Sequence, residues 1–117
     1  MVKHYDLIAI GGGSGGLSVA ERAAHYDARC ALIEAGRLGG TCVNVGCVPK
    51  KVMWHAANLA HALDDAPSYG FRLDYFDFDW RKLQIARDRF VRDLNEWYLS
   101  YLTKAGVELI HGFAHFI

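Results

Sequence analysis

The residues best suited to chemistry lie in Leu38-Gly39-Gly40-Thr41-Cys42-Val43-Asn44-Val45-Gly46-Cys47-Val48-Pro49-Lys50-Lys51. Two cysteines stand five positions apart, among three glycines, where a helix is predicted to begin. They can meet only if the first turn is distorted, and Gly46 and Pro49 supply that distortion. A helix start with Lys50 close by should lower a thiol pKa and favour the thiolate. A thiolate attacks disulfides, and a second thiol in reach resolves the mixed disulfide that forms. Position alone therefore suggests a redox dithiol. Three other uses compete. A structural disulfide is uncommon in a reducing compartment. Zinc usually takes a tighter cysteine pair plus a second pair of ligands, and no second cysteine pair exists; no metal site is expected. Two inert buried thiols would not need the surrounding glycines.

The second chemical motif is Gly11-x-Gly13-x-x-Gly16, with Ser14 and Gly15 inside it and Glu34 further on. Gly11 permits a tight turn, Gly13 lets a pyrophosphate approach the backbone, and Gly16 lets the following helix sit close to a sheet. The helix start offers unpaired N–H groups to phosphate. Glu34 is suited to a ribose diol and disfavours a 2′-phosphate, so FAD or NAD fits better than NADP. A Rossmann-like sheet with a merely tight turn is the plainer alternative.

Elements must hold these motifs in place. Tyr5 to Ile10 predicts a strand, Leu17, Ala20 and Ala24 one face of a helix, and Cys30 to Ile33 a second strand, with Asp27 and Ala28 between. This is a βαβ unit with a right-handed crossover. Val52, Ala56, Leu59 and Leu63 line a helix past Pro49 that stops before Pro67. Ser68 to Asp77 reads as a loop. A long helix runs from an N-cap at Asp79 to Gly106, with the stripe Trp80, Leu83, Ala86, Phe90, Leu94, Trp97, Tyr101 and a second apolar face at Val91, Tyr98 and Leu102. Val107 to Ile110 predicts a third strand. The fold class is α/β: a Rossmann-like FAD-binding domain, incomplete, with a parallel sheet and one long helix.

Composition agrees with a single globular domain: 117 residues, 52% hydrophobic and 22% charged, with 13 basic against 13 acidic side chains. Nothing in that balance points to nucleic acid or to an anionic membrane. No apolar run approaches the ~20 residues of a bilayer span. The start resembles no signal peptide, so a cytoplasmic location is expected. Cys30, mid-strand, reads as a small buried hydrophobe. His55, His61, His111 and His115 read as surface or packing residues.

With both motifs in hand, the chain resembles the pyridine nucleotide–disulfide oxidoreductases from Tyr5 to Phe116, and within them the glutathione reductase branch. The likeness is densest at Ile8–Gly16 and Gly39–His55. Dihydrolipoamide dehydrogenases usually read Ile-Pro-Ser-Lys at positions 48–51, and mercuric reductases tend to have serine in place of Lys50. The Lys-Lys form is shared with trypanothione reductases, and Leu94 to Tyr98 further resembles the glutathione branch. The resemblance implies FAD contacts from Gly11, Gly13, Ser14, Gly15, Gly16, Glu34, Thr41, Cys42, Lys50 and the backbone of Ala114. It implies Cys47 as the thiol facing the flavin, Cys42 as the interchange thiol, and Lys50 near the reactive edge of the flavin. Ser14 and Tyr98 match positions that touch glutathione. Glu21 stands where an arginine often binds a glutathione carboxylate.

The implied activity is NADPH-driven, FAD-dependent reduction of glutathione disulfide by a homodimer. A related disulfide reductase of the trypanothione, mercuric or dihydrolipoamide type is an alternative, and so is a non-catalytic dinucleotide-binding module. Residues 1–117 correspond to the N-terminal part of the FAD domain. The NADPH domain, the interface domain and the acid–base His-Glu pair are expected elsewhere, so the 117 residues alone are expected to be inactive.

Overall fold

The computed structural model describes residues 1–74 and 77–117; Tyr75 and Phe76, within the expected 68–77 loop, lie outside the described residues. Element order is β1 (Leu7–Ile10), α1 (Ser14–Ala24), β2 (Cys30–Glu34), α2 (Gly40–Val45), α3 (Cys47–Asp65), a 3₁₀ turn (Ala66–Tyr69), α4 (Trp80–Ala105) and β3 (Glu108–His111). The three strands form one parallel sheet in the order β1-β2-β3. Leu7 pairs with Cys30, and Leu32 with Leu109.

Placing β2 in the middle explains its composition, since Cys30, Ala31 and Leu32 are all buried. Side chains alternate across a sheet, so Leu7, Ala9, Cys30, Leu32 and Leu109 face one way. There they join Leu17 and Ala20 of α1, Leu102 of α4, and Val107 in one core. Cys30 is the small buried hydrophobe expected, its thiol turned onto the Ala28 carbonyl at 3.4 Å.

Local chemistry explains where the elements stop. Asp27 takes a left-handed conformation (φ 63°) between α1 and β2, which asparagine and aspartate tolerate better than most side chains. The Asp79 carboxylate caps α4 by accepting from the Lys82 N–H at 3.0 Å. At the other end, Gly106 (φ 75°) donates to the Leu102 and Thr103 carbonyls, and Val107 N–H also returns to Leu102.

Two expectations need correction. The helix read past Pro49 begins earlier, at Cys47, and a separate short helix, α2, precedes the break at Gly46. Proline is tolerated in a first helical turn because its missing N–H has no intrahelical acceptor there. The second correction concerns α4. The buried residues are Val91 and Leu102, with Leu94, Asn95, Tyr98 and Tyr101 half-buried, while Trp80, Ala86, Phe90 and Trp97 of the predicted main stripe are exposed. The helix is turned by roughly one residue, about 100°. Leu59 of α3 is likewise exposed.

Candidate dithiol and dinucleotide site

The glycine turn links β1 to α1 beside the end of β2. Gly11 N–H donates to the Ile33 carbonyl at 2.8 Å, and Leu17 N–H closes the first α1 bond on Gly13 at 2.9 Å. Gly13 is the N-cap, with no side-chain cap and no acidic residue in the first turn. The N–H groups of Ser14, Gly15 and Gly16 therefore lack intrahelical acceptors. Gly16 must be glycine for packing, since a Cβ there would sit on the Gly11 carbonyl oxygen. A Cβ on Gly40 would lie 2.8 Å from the Gly13 Cα, so the turn and the start of α2 can approach only without side chains. Gly39 N–H to the Gly12 carbonyl at 2.7 Å fastens the same junction.

Glu34, the last residue of β2, accepts from the Gly12 N–H at 2.6 Å with one oxygen and from the Gly36 N–H at 2.7 Å with the other. These bonds, Gly36 first, hold its carboxyl below the usual glutamate range. Each oxygen keeps a lone pair for another donor. Glu34 stands at the end of the second strand, as the sequence indicated; its hold on the glycine turn is a structural finding.

Cys42 is the third residue of α2 and Cys47 opens α3, with Gly46 (φ −126°, ψ −118°) as the hinge. Both thiols are free and exposed. Across this break Cys47 raises the Cys42 pKa, first through hydrogen bonding between the side chains, then through desolvation and the charge of Cys47. A backbone bond to Cys47 and the Lys50 ammonium pull the other way. The expectation of a lowered thiol pKa is thus reversed at Cys42: in the dithiol form the neighbouring sulfur outweighs the helix start and the lysine.

Two asparagines secure α2. Asn44 Nδ2 donates to the carbonyls of Gly40 at 2.9 Å and Leu38 at 3.1 Å. Asn95 Nδ2, from α4, donates to the Leu38 carbonyl at 2.7 Å and to Asn44 Oδ1 at 3.0 Å. Neither asparagine was singled out by the sequence reading. The polar Asn95 one position after Val91–Leu94 was the available signal, since a polar residue on a buried face needs a partner.

The remaining predicted residues are spread around this junction. Thr41 is exposed beside Cys42 in α2. Lys50 lines a cleft of about 710 Å³ between α2–α3 and α4, with Arg37, Arg87, Asp88 and Arg92. Tyr98 is half-buried against the core, edge-on to Trp97 at 5.0 Å. Ala114 is exposed, beyond the end of β3. The Arg22 guanidinium, next to Glu21 in α1, lies over Tyr26, 5.4 Å from the ring centroid.

A family model described as pyridine nucleotide-disulphide oxidoreductase matches residues 5–116. The chain belongs to that family. Within these oxidoreductases it is similar to the glutathione reductase of Yarrowia lipolytica, 53% identical over 117 residues covering 97% of this chain and 25% of the relative. The glutathione reductase of Debaryomyces hansenii is 49% identical over 122 residues, covering 98% of this chain and 25% of the relative. The chain spans about a quarter of the length of the curated relatives it matches. Membership accounts for the Rossmann-type arrangement of parallel strands, glycine turn and helix. Among the described residues no helix is long and apolar enough to cross a membrane.

Proposed function

We propose that this chain contributes the FAD-phosphate site and the redox dithiol of an enzyme that reduces glutathione disulfide with NADPH. The observation that carries the reading is the pair of exposed thiols either side of the Gly46 break, on a segment whose first helical residue, Gly40, packs against the uncapped start of α1. Glutathione disulfide as substrate and NADPH as electron source rest on likeness to relatives named glutathione reductase.

The residues present fit FAD. The Ser14, Gly15 and Gly16 amides offer donors for a pyrophosphate, the Gly13–Gly40 contact keeps side chains away from them, and Glu34 retains acceptor capacity for a ribose. Thr41, Cys42, Lys50 and Ala114 complete the proposed set. Bound FAD supplies a two-electron carrier between a nicotinamide and the dithiol.

The cysteines do the substrate chemistry. Cys42 Sγ attacks one sulfur of glutathione disulfide; a Cys42–glutathione S–S bond forms, the substrate S–S bond breaks, and one glutathione leaves and takes up a proton. Cys47 Sγ then attacks Cys42 Sγ, the mixed disulfide breaks, and the second glutathione leaves. The pair ends as a disulfide and needs two electrons and two protons to return. Ser14 and Tyr98 are proposed to touch the substrate, and two copies of the enzyme to form a homodimer.

Trapping tests the roles. Reduced Cys47→Ser chain incubated with glutathione disulfide should retain one glutathione on Cys42 by mass spectrometry, whereas the parent chain should shed it and lose two hydrogens. Equal trapping in Cys42→Ser would reverse the assignment, and an unmodified parent would remove it.

A further inference from the structure

We infer that Asn95 is a positioning residue that sets the dithiol–disulfide equilibrium of Cys42 and Cys47 by holding Asn44 between them. The inference rests on the proposed redox use of the pair.

Asn44 stands two residues after Cys42 and three before Cys47, on a helix of only six residues. A helix that short does not hold its own shape in water. Gly39 gives α2 no side-chain cap, and Gly46 ends it in a non-helical conformation. Its placement therefore depends on outside contacts. Val43 is buried, and the Asn44 amide spans back to Leu38 and Gly40. Asn95 completes this anchor from 51 positions away, bonding the Asn44 oxygen and sharing the Leu38 carbonyl. All of these amide contacts are partly buried. Among the described residues Asn95 hydrogen-bonds to neither cysteine; it acts through Asn44.

Closing the disulfide brings two sulfurs to about 2.05 Å. A cysteine on an already ordered α2 loses little freedom in doing so, whereas one on a loosened α2 must be ordered at that moment. Removing the Asn95 amide leaves the Asn44 oxygen without its donor and unties α2 from α4. The disulfide then becomes the weaker form relative to the dithiol, and the pair a stronger oxidant. The net value of one or two hydrogen bonds converts to a change of about three- to tenfold. Tenfold corresponds to about 30 mV for a two-electron couple.

The experiment equilibrates this chain in dithiothreitol buffers. Two protein S–H groups are oxidised to one S–S bond while oxidised dithiothreitol opens and takes up both protons and electrons. The reduced fraction is read by alkylation and mass spectrometry. Asn95→Leu should lower the constant for disulfide formation about three- to tenfold. Val91→Ala, on the same buried face of α4 but outside the amide network, should leave it within twofold. The Asn44→Ala/Asn95→Leu double variant should shift it no further than Asn44→Ala alone, since coupled residues are not additive. An unchanged or raised constant in Asn95→Leu overturns the inference, as does an equal shift in Val91→Ala. A parent chain that forms no disulfide in any buffer instead removes the redox reading itself. Should Asn95→Leu fail to fold, the parent decides by NMR. Oxidation should move the Asn95 side-chain amide signals; signals that stay fixed while the Cys42 and Cys47 backbone amides move overturn the inference.

Discussion

At Cys42 the decisive neighbour is another sulfur. The hydrogen bond with Cys47, then desolvation and the charge of Cys47, raise its pKa, while Lys50 opposes them. A raised thiol pKa means less thiolate at a given pH, so Cys42 in the reduced chain should alkylate slowly until the pH passes the ordinary thiol range. Cys47→Ser removes the sulfur and its charge and should move the alkylation profile of Cys42 to lower pH; Lys50→Met should move it higher. Peptide-resolved iodoacetamide rates from pH 6 to 10 would show both, and a profile indifferent to Cys47 would contradict the cause assigned here. Glu34 carries the opposite sign. Its pKa is lowered by the Gly36 and Gly12 amides, so its stabilising effect is complete above the ordinary glutamate value of about 4.3 and is lost as pH falls through the lower folded value. Glu34→Gln can accept from one amide only and should cost about 1–2 kcal/mol near neutral pH. Denaturant melts should show that gap narrowing below pH 4.

At the scale of elements, α1 is positioned by an approach that admits no side chain. Gly16→Ala places a methyl on the Gly11 carbonyl, so α1 must lift from β1, at a cost of about 2–3 kcal/mol or more. Gly15→Ala, one residue away in open space, should be neutral or stabilising by about 0.5–1 kcal/mol. Thermal melts of the two variants separate packing from helix propensity, and similar melting points would refute the close approach. α4 depends instead on its cap. Asp79→Ala removes the acceptor for Lys82 N–H and should cost about 1 kcal/mol.

The whole molecule is elongated. Its radius of gyration is 20.4 Å and its extents are 69 × 27 × 19 Å, against about 13 Å expected for a compact chain of this length. Parallel sheets normally have both faces covered, yet Ile8 and Ile10 on the face away from the core are 51% and 63% exposed. α4 adds Ile85, Phe90 and Trp97 at about half exposure. Among the described residues, the order β1-β2-β3 also leaves the outer sides of β1 and β3 unpaired. Apolar surface of this extent seeks a partner, so the 117-residue chain should self-associate. Light scattering across concentrations should show mass above the monomer, reduced in Phe90→Glu/Trp97→Glu. A monomer at all concentrations would mean these faces stay solvated.

Much of this architecture could be read from the residues because it depends on neighbours in sequence. Gly11-x-Gly13-x-x-Gly16 between a β-rich run and an apolar-periodic one defines a strand–turn–helix, and Asp79 and Gly106 mark helix ends, because orphan backbone groups must find partners within a turn. The cysteine spacing indicated a dithiol, since few other uses suit it. Tertiary packing decided the rest. Two faces of α4 are comparably apolar, so periodicity could not choose between them; contact with the core selected Tyr98 and Leu102, and Val91 is buried on the same side. Asn95 can stand half-buried beside them because Leu38 and Asn44 satisfy its amide. The direction of the Cys42 pKa was also beyond sequence, because it depends on how closely two sulfurs approach across Gly46. Short-range hydrogen-bonding demands are written along the chain, whereas the choice among apolar faces and the balance of charges at a sulfur exist only once distant segments meet.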